Sequence, residues 1–244
     1  ASASIAEPQA ARDEVELIAA VVTQALAESG VTRDKVGFVC SGSADLLIGR
    51  PFSFVQGLDG IAAWPPIRES HVEMDGAWAL YEAWCRLQLG DIDAALVYAF
   101  GRPSAGNFSD VSVLQMDPYT ATALWPDSDS LASLQANLML SDEALARQRQ
   151  HDPQNVGNTA STPHPIFDGA AAVVLAAGDL AREVCPRPAW IAGLDHRVEA
   201  HALGARDLSR SVSTRQAASN ALHETQPFAT AHIWASHSHC VQLI

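Results

Sequence analysis

The 244 residues suffice for one large core or two smaller ones, and 48% of them are hydrophobic, as a globular protein requires. The net charge is −13, and no lysine- or arginine-rich run could track a phosphate backbone, so nucleic acid is excluded as an expected partner. No apolar run approaches the ~20 residues of a membrane-spanning helix. The N-terminus A-S-A-S-I-A-E-P lacks the basic start and apolar stretch of a signal peptide, so a cytoplasmic protein is expected.

In chain order, D-E-V-E-L-I-A-A-V-V-T-Q-A-L-A-E-S at 13 to 29 carries apolar residues at helical spacing and ends at Gly30, a helix stop. V-G-F-V-C at 36 to 40 reads as a short buried strand, and S-G-S-A-D after it as a turn. In E-S-H-V-E-M-D-G, residues 69 to 76, the period of two places His71, Glu73 and Asp75 on one face and Val72 and Met74 on the other. A helix from Ala77 to Leu89, closed by Gly90, and the strand A-A-L-V-Y-A-F-G at 94 to 101 follow. Strand, helix and strand in this order point to an α/β protein with a mostly parallel sheet.

From Arg102 to about Pro165 the pattern weakens, with one helical stretch near 129 to 150, and an insertion rather than sheet is expected. D-G-A-A-A-V-V-L-A-A at 168 to 177 is a buried strand and G-D-L-A-R-E-V starts a helix. A-W-I-A-G-L-D-H-R-V reads as a further strand, Thr214 to Leu222 as a helix and A-T-A-H-I-W-A-S as a last strand. Cys40, Cys85, Cys185 and Cys240 are far apart and form no C-x-x-C pair, so free thiols are expected.

The set V-G-F-V-C-S-G-S-A-D, S-H-V-E-M-D-G-A-W-A-L-Y-E-A-W, A-A-L-V-Y-A-F-G, D-P-Y-T with L-W-P-D-S, F-D-G-A-A-A-V-V-L-A and A-W-I-A-G-L-D-H-R-V with L-G-A-R-D-L spans nearly the whole chain. It resembles the thiolase superfamily, in particular the sterol-carrier-type thiolases and the shorter lipid-transfer thiolase-like proteins of actinobacterial steroid and lipid catabolism. The resemblance implies an α/β, five-layered fold of two βαβαβ halves with an inserted loop domain, the second half incomplete. Its boundaries here would be residues 1–101 for the first half, 102–165 for the loop domain, 166–186 for the last strand and helix of the first half, and 187–244 for the partial second half. A strand before Asp13, usual in the family, is not read from this sequence.

The resemblance also implies a nucleophilic cysteine at the N-terminus of a buried helix, where the helix dipole favours a thiolate. Alignment of the motif puts Glu73 at that position, or Asp75 in a register shifted by two. The family's second element, a histidine, falls on Trp234 in A-H-I-W-A-S-H-S-H-C, flanked by His232 and His237. A carboxylate is a poor substitute for a thiolate in covalent acyl transfer.

Two readings follow. The chain is expected to be a degenerate subunit that supports a catalytic thiolase-like partner, because both matched catalytic positions have changed; the alternative is that Glu73 or Asp75, with His71 or His237, acts as a general acid/base in retro-aldol chemistry on an acyl-CoA. A lipid- or acyl-CoA-binding carrier is the third class. The simpler explanations are that Asp75 caps the helix, that Glu73 favours the helix N-terminus or pairs with Arg68, and that His71 is a hydrogen-bonded structural residue. The resemblance implies coenzyme A as acyl-CoA substrate and no metal. As partners it implies a second thiolase-like chain and an OB-fold acyl-CoA-binding protein, in a dimer or hetero-oligomer.

Overall fold

The computed structural model describes residues 1–8, 10–62, 68–139, 167–200 and 202–223. They fall into two compact units, one of Ala1–Phe108 with Ile166–Trp190 and one of Ser109–Pro165 with Ile191–Ile244.

The first unit is built on a five-stranded sheet. Strands β1 (Ser2–Glu7), β2 (Phe38–Ser43), β3 (Arg68–Glu73), β4 (Ala94–Gly101) and β5 (Asp168–Ala176) lie in the order β1-β5-β4-β2-β3. β2 is parallel to both β3 and β4, whereas β5 is antiparallel to β4 and to β1. Side chains alternate as the pleat demands. Val39, Leu96, Tyr98 and Phe100 point to one face, where they join Leu17, Ile18, Val21 and Val22 of helix α1 (Glu14–Ser29) and Ile61 of helix α2 (Ser53–Ile61). Phe38, Cys40, Ala95 and Val97 point to the other face, against Ala79 and Ala83 of helix α3 (Gly76–Gln88).

Helix α1 begins where its chemistry says it should. The Asp13 carboxylate accepts the Glu16 N–H at 2.8 Å and the Glu16 carboxylate accepts the Asp13 N–H at 3.2 Å, a reciprocal cap that stabilises the start by about 1 kcal/mol. Gly30, at φ +70°, ends it in the left-handed conformation that costs glycine least. Helix α6 (Gly178–Val184) follows β5 and completes the unit.

Three local expectations are corrected, and one helix without a sequence reading is added. The S-G-S stretch is strand, not turn, because β3 and β4 flank it and supply ladder partners on both sides through Gly42. Ser2–Glu7 forms the edge strand β1, hidden in the sequence because small and polar residues alternate there and the partner β5 lies more than 150 residues away. Helix α2 has two interior glycines, which weaken its helical signature. They are there for close approach: a Cβ on Gly60 would sit 2.9 Å from Ile18, and one on Gly57 would sit 3.1 Å from the Phe100 ring. Finally, Ala189 to Val198 shows no strand, since no described residue offers it a ladder partner.

The second unit contains helices α4 (Phe108–Leu114), α5 (Ser128–Met139) and α7 (Val212–His223). The Asp117 carboxylate caps the turn after α4 by accepting the Tyr119 and Thr120 N–H groups. Glu199 accepts the Ser213 N–H at 2.7 Å near the start of α7. The strand expected at residues 229–236 lies outside the described residues. No helix among the described residues is long and apolar enough to cross a membrane.

Candidate functional site

Two consecutive connections leave the sheet on opposite faces. The chain runs from β2 to α2 on the α1 face, and from β3 to α3 on the other. Where neighbouring parallel strands diverge in this way their carboxyl ends open a crevice, the usual ligand position in open α/β sheets. The ionisable residues picked out in E-S-H-V-E-M-D-G stand at that place.

Register brings the first of them together. His71 of β3 pairs across the ladder with Ser41 of β2, and Ser41 in turn pairs with Tyr98 of β4, so the three side chains form one row on the α1–α2 face. Ser41 Oγ lies 2.8 Å from His71 Nδ1, and His71 Nε2 lies 3.0 Å from a carboxylate oxygen of Glu73. Phe54 of α2 stacks on the imidazole, with ring centroids 4.5 Å apart and an interplanar angle of 17°. The accessibility rises along the row: Ser41 is 3% exposed, the His71 side chain 15% and the Glu73 side chain 52%. The carboxylate is therefore the member that faces solvent, and the histidine connects it to the sheet.

Asp45 fixes the other side of Glu73. Its N–H donates to the second Glu73 oxygen at 2.6 Å. The Asp45 carboxylate accepts the N–H groups of Phe52 and Ser53, at 2.8 and 3.0 Å, and the Ser53 hydroxyl at 2.9 Å. Burial opposes the charge on Asp45, but these donors and the neighbouring His71 outweigh it and hold the carboxyl below its ordinary range. Asp45 is thus a remote cap for α2. It holds Phe52 at φ +56°, an unusual conformation for an aromatic residue, beside the site.

Asp75 has a different task. Its carboxylate accepts the Ala77 and Trp78 N–H groups at 2.9 and 3.2 Å and caps α3. It is not part of the His71–Glu73 pairing. Arg68, a possible partner of Glu73 from the sequence, instead donates to the Asp91 carbonyl. His237, with His232 and Trp234, lies outside the described residues. Ser41, Asp45 and Phe54 were not singled out by sequence. The signal available for Ser41 was the strand reading of S-G-S, which the turn-like composition masks.

The start of α3 lies hard against the sheet. A Cβ on Gly42 would be 2.3 Å from the Asp75 carbonyl oxygen, a backbone-to-backbone contact that no rotamer change relieves. Gly42→Ala should destabilise the protein by about 3 kcal/mol or more, as read from urea denaturation. A loss under about 1 kcal/mol would mean that this junction is looser than described.

Cys40 neighbours the site in sequence but points to the opposite face. Burial, reinforced by the charge of Glu82, pushes its thiol up to about 12. A thiolate nucleophile is therefore not available from this residue at neutral pH. Alkylation of the native protein with iodoacetamide should modify the half-exposed Cys85 and Cys185 and spare Cys40 until unfolding, a pattern that peptide mass mapping reads directly.

No protein-family model and no curated protein matches the chain. Solved structures do. The Ltp2-ChsH2(DUF35) aldolase aligns with a TM-score of 0.59 at 15% identity, over 91% of this chain and 68% of the matched one. A monomeric SCP2-thiolase like protein type 1 from Mycobacterium smegmatis aligns with a TM-score of 0.53, also at 15% identity, over 91% of this chain and 55% of its own length. At such identity the likeness is one of fold, and on that ground the chain has the mixed α/β fold of the thiolase-like SCP2 proteins.

Proposed function

We propose that this chain is a thiolase-like protein of acyl-CoA and lipid metabolism that cleaves a carbon–carbon bond of a β-hydroxyacyl-CoA by retro-aldol chemistry, as part of a hetero-oligomer. The observation that carries the reading is the hydrogen-bonded His71–Glu73 pair at the carboxyl ends of parallel strands, with the carboxylate toward solvent. The first of the similar structures, named an aldolase that joins Ltp2 to a DUF35 protein, supports the reaction class and the idea of a partner.

In this reaction Glu73 takes the proton of the β-hydroxyl group. The Cα–Cβ bond breaks, its electron pair passes to the thioester as an enolate, and the former hydroxyl carbon leaves as a ketone or aldehyde. The protonated carboxyl then returns its proton to Cα, giving the shortened acyl-CoA. His71 holds the carboxylate in place, and Phe54 covers the imidazole face. Proton transfer by a positioned side chain of this kind contributes roughly 10²–10⁴-fold in rate.

A second reading has its own observation. Asp75 and Asp45 are engaged as helix caps, and Glu73 is anchored by the Asp45 N–H, as in a subunit whose carboxylates serve structure while a partner carries out the chemistry. Co-expression of the chain with a second thiolase-like subunit and an OB-fold acyl-CoA-binding protein, followed by assay on β-hydroxyacyl-CoA, separates the readings. The lyase reading expects release of a carbonyl fragment and a shortened acyl-CoA, abolished by Glu73→Gln. Turnover in the assembly that survives this substitution would assign the chain a supporting role, and tight binding without turnover would make it a carrier.

A further inference from the structure

Tyr98 is almost fully buried, and its hydroxyl lies beside Ser41 across the ladder, near enough for a side-chain hydrogen bond to act on the phenol but outside ideal hydrogen-bond geometry. Gly57 of α2 makes the space for it, since a Cβ there would lie 3.2 Å from the phenolic oxygen. A buried hydroxyl in such a place is costly unless it donates to something, and Ser41 Oγ is the polar atom beside it.

The other end of the row sets the same direction. A carboxylate oxygen 3.0 Å from an imidazole nitrogen favours a proton on that nitrogen, because a bare lone pair would repel it. Neutral His71 with its proton on Nε2 leaves Nδ1 as an acceptor, and among the described residues the donor at that nitrogen is the Ser41 hydroxyl, 2.8 Å away. Ser41 Oγ then has its own lone pairs to fill, and the Tyr98 phenol is the donor placed to fill one. Read from either end, the hydrogens point one way along β4, β2 and β3.

We infer that Tyr98 and Ser41 are positioning residues that hold His71 as the neutral Nε2–H tautomer, so that the imidazole donates to Glu73 and leaves Glu73 as the group that takes the substrate proton. The role assigned to Glu73 rests on the lyase reading above; the tautomer does not. Neither Tyr98 nor Ser41 touches substrate. They act through the imidazole, as an orienting group does in other histidine sites.

The test is ¹⁵N NMR of histidine-labelled full-length protein, with the His71 signals assigned by their loss in His71→Gln. The tautomer is read on the neutral limb of a pH series, without substrate. The expected result is a proton on Nε2, a shift toward Nδ1–H in Ser41→Ala, and a smaller shift in the same direction in Tyr98→Phe. In the active assembly Ser41→Ala should lower kcat roughly tenfold with KM unchanged, and Tyr98→Phe by a smaller factor. Tyr98→Phe removes one oxygen from a close-packed site, so it keeps the fold even where Ser41→Ala does not. A proton on Nδ1 in the wild type, or a tautomer unmoved by both substitutions, overturns the inference. A confirmed tautomer without any turnover would leave it standing and remove the lyase reading instead.

Discussion

Glu73→Gln is expected to lower turnover of the assembled complex by roughly 10²–10⁴-fold while leaving melting temperature and binding to partners unchanged. The amide keeps the size of the side chain, and its single oxygen can still accept the Asp45 N–H that anchors it, while its NH2 group takes the place of the oxygen beside His71 Nε2. What it loses is basicity. The side chain is 52% exposed, and surface substitutions of that kind normally change stability by less than about 0.5 kcal/mol. A fall in kcat with KM preserved would mark a group that acts in the transition state rather than in binding. Loss of soluble protein would instead show that Glu73 is a structural anchor for Asp45 and α2.

The largest effect on stability should come from Asp168, at the start of β5. It is fully buried, and its carboxylate accepts the Ala10 N–H at 2.8 Å, the Ser104 N–H at 3.0 Å and the Ser104 hydroxyl. It therefore ties the segment before α1 and the loop after β4 to the sheet. Burial alone would raise its pKa, but the Ser104 hydroxyl, the two N–H donors and the nearby Arg102 outweigh it and depress the carboxyl below its ordinary 3.8. Asp168→Ala leaves the buried Ala10 N–H and the two Ser104 donors without their acceptor and should cost about 3–5 kcal/mol in chemical denaturation; Asp168→Asn, which keeps one acceptor, should cost about 1–3 kcal/mol.

The sign of the pH dependence follows from that depression. The unfolded carboxyl takes up its proton first as pH falls, so the stabilisation is complete above about pH 4 and is lost as pH drops through the folded value. The acid limb of the stability curve should accordingly be shallower in Asp168→Asn than in the wild type. An identical limb would show that Asp168 is protonated or unpaired in the folded protein.

The central part of the site was legible in sequence because β3 obeys the simplest of periodicities. His71 and Glu73 are two residues apart in a strand and must share a face, and Asp75 precedes a helix as a cap should. The rest depends on partners that sequence order hides. Ser41 faces His71 only because β2 and β3 pair in parallel through a register that no local signal encodes. Asp45 caps a helix that starts eight residues later, across a loop held at an unusual backbone angle, and so fits no local capping pattern. The apolar run A-A-L-V-Y-A-F-G read as a strand, but did not show that Tyr98 would place a hydroxyl beside Ser41. β1 was invisible for the opposite reason. Its small polar residues carry little intrinsic strand preference, and the ladder to β5 supplies what they lack.

The most direct test of an acid/base unit made of His71 and Glu73 is a double-mutant cycle on kcat for β-hydroxyacyl-CoA cleavage, with His71→Gln, Glu73→Gln and the pair measured in the same assembly. Residues that act as one unit are strongly non-additive. The expected result is that Glu73→Gln alone removes nearly all the activity and that adding His71→Gln lowers it no further. Full activity in the double variant, or losses that simply multiply, would contradict a shared role for the two residues.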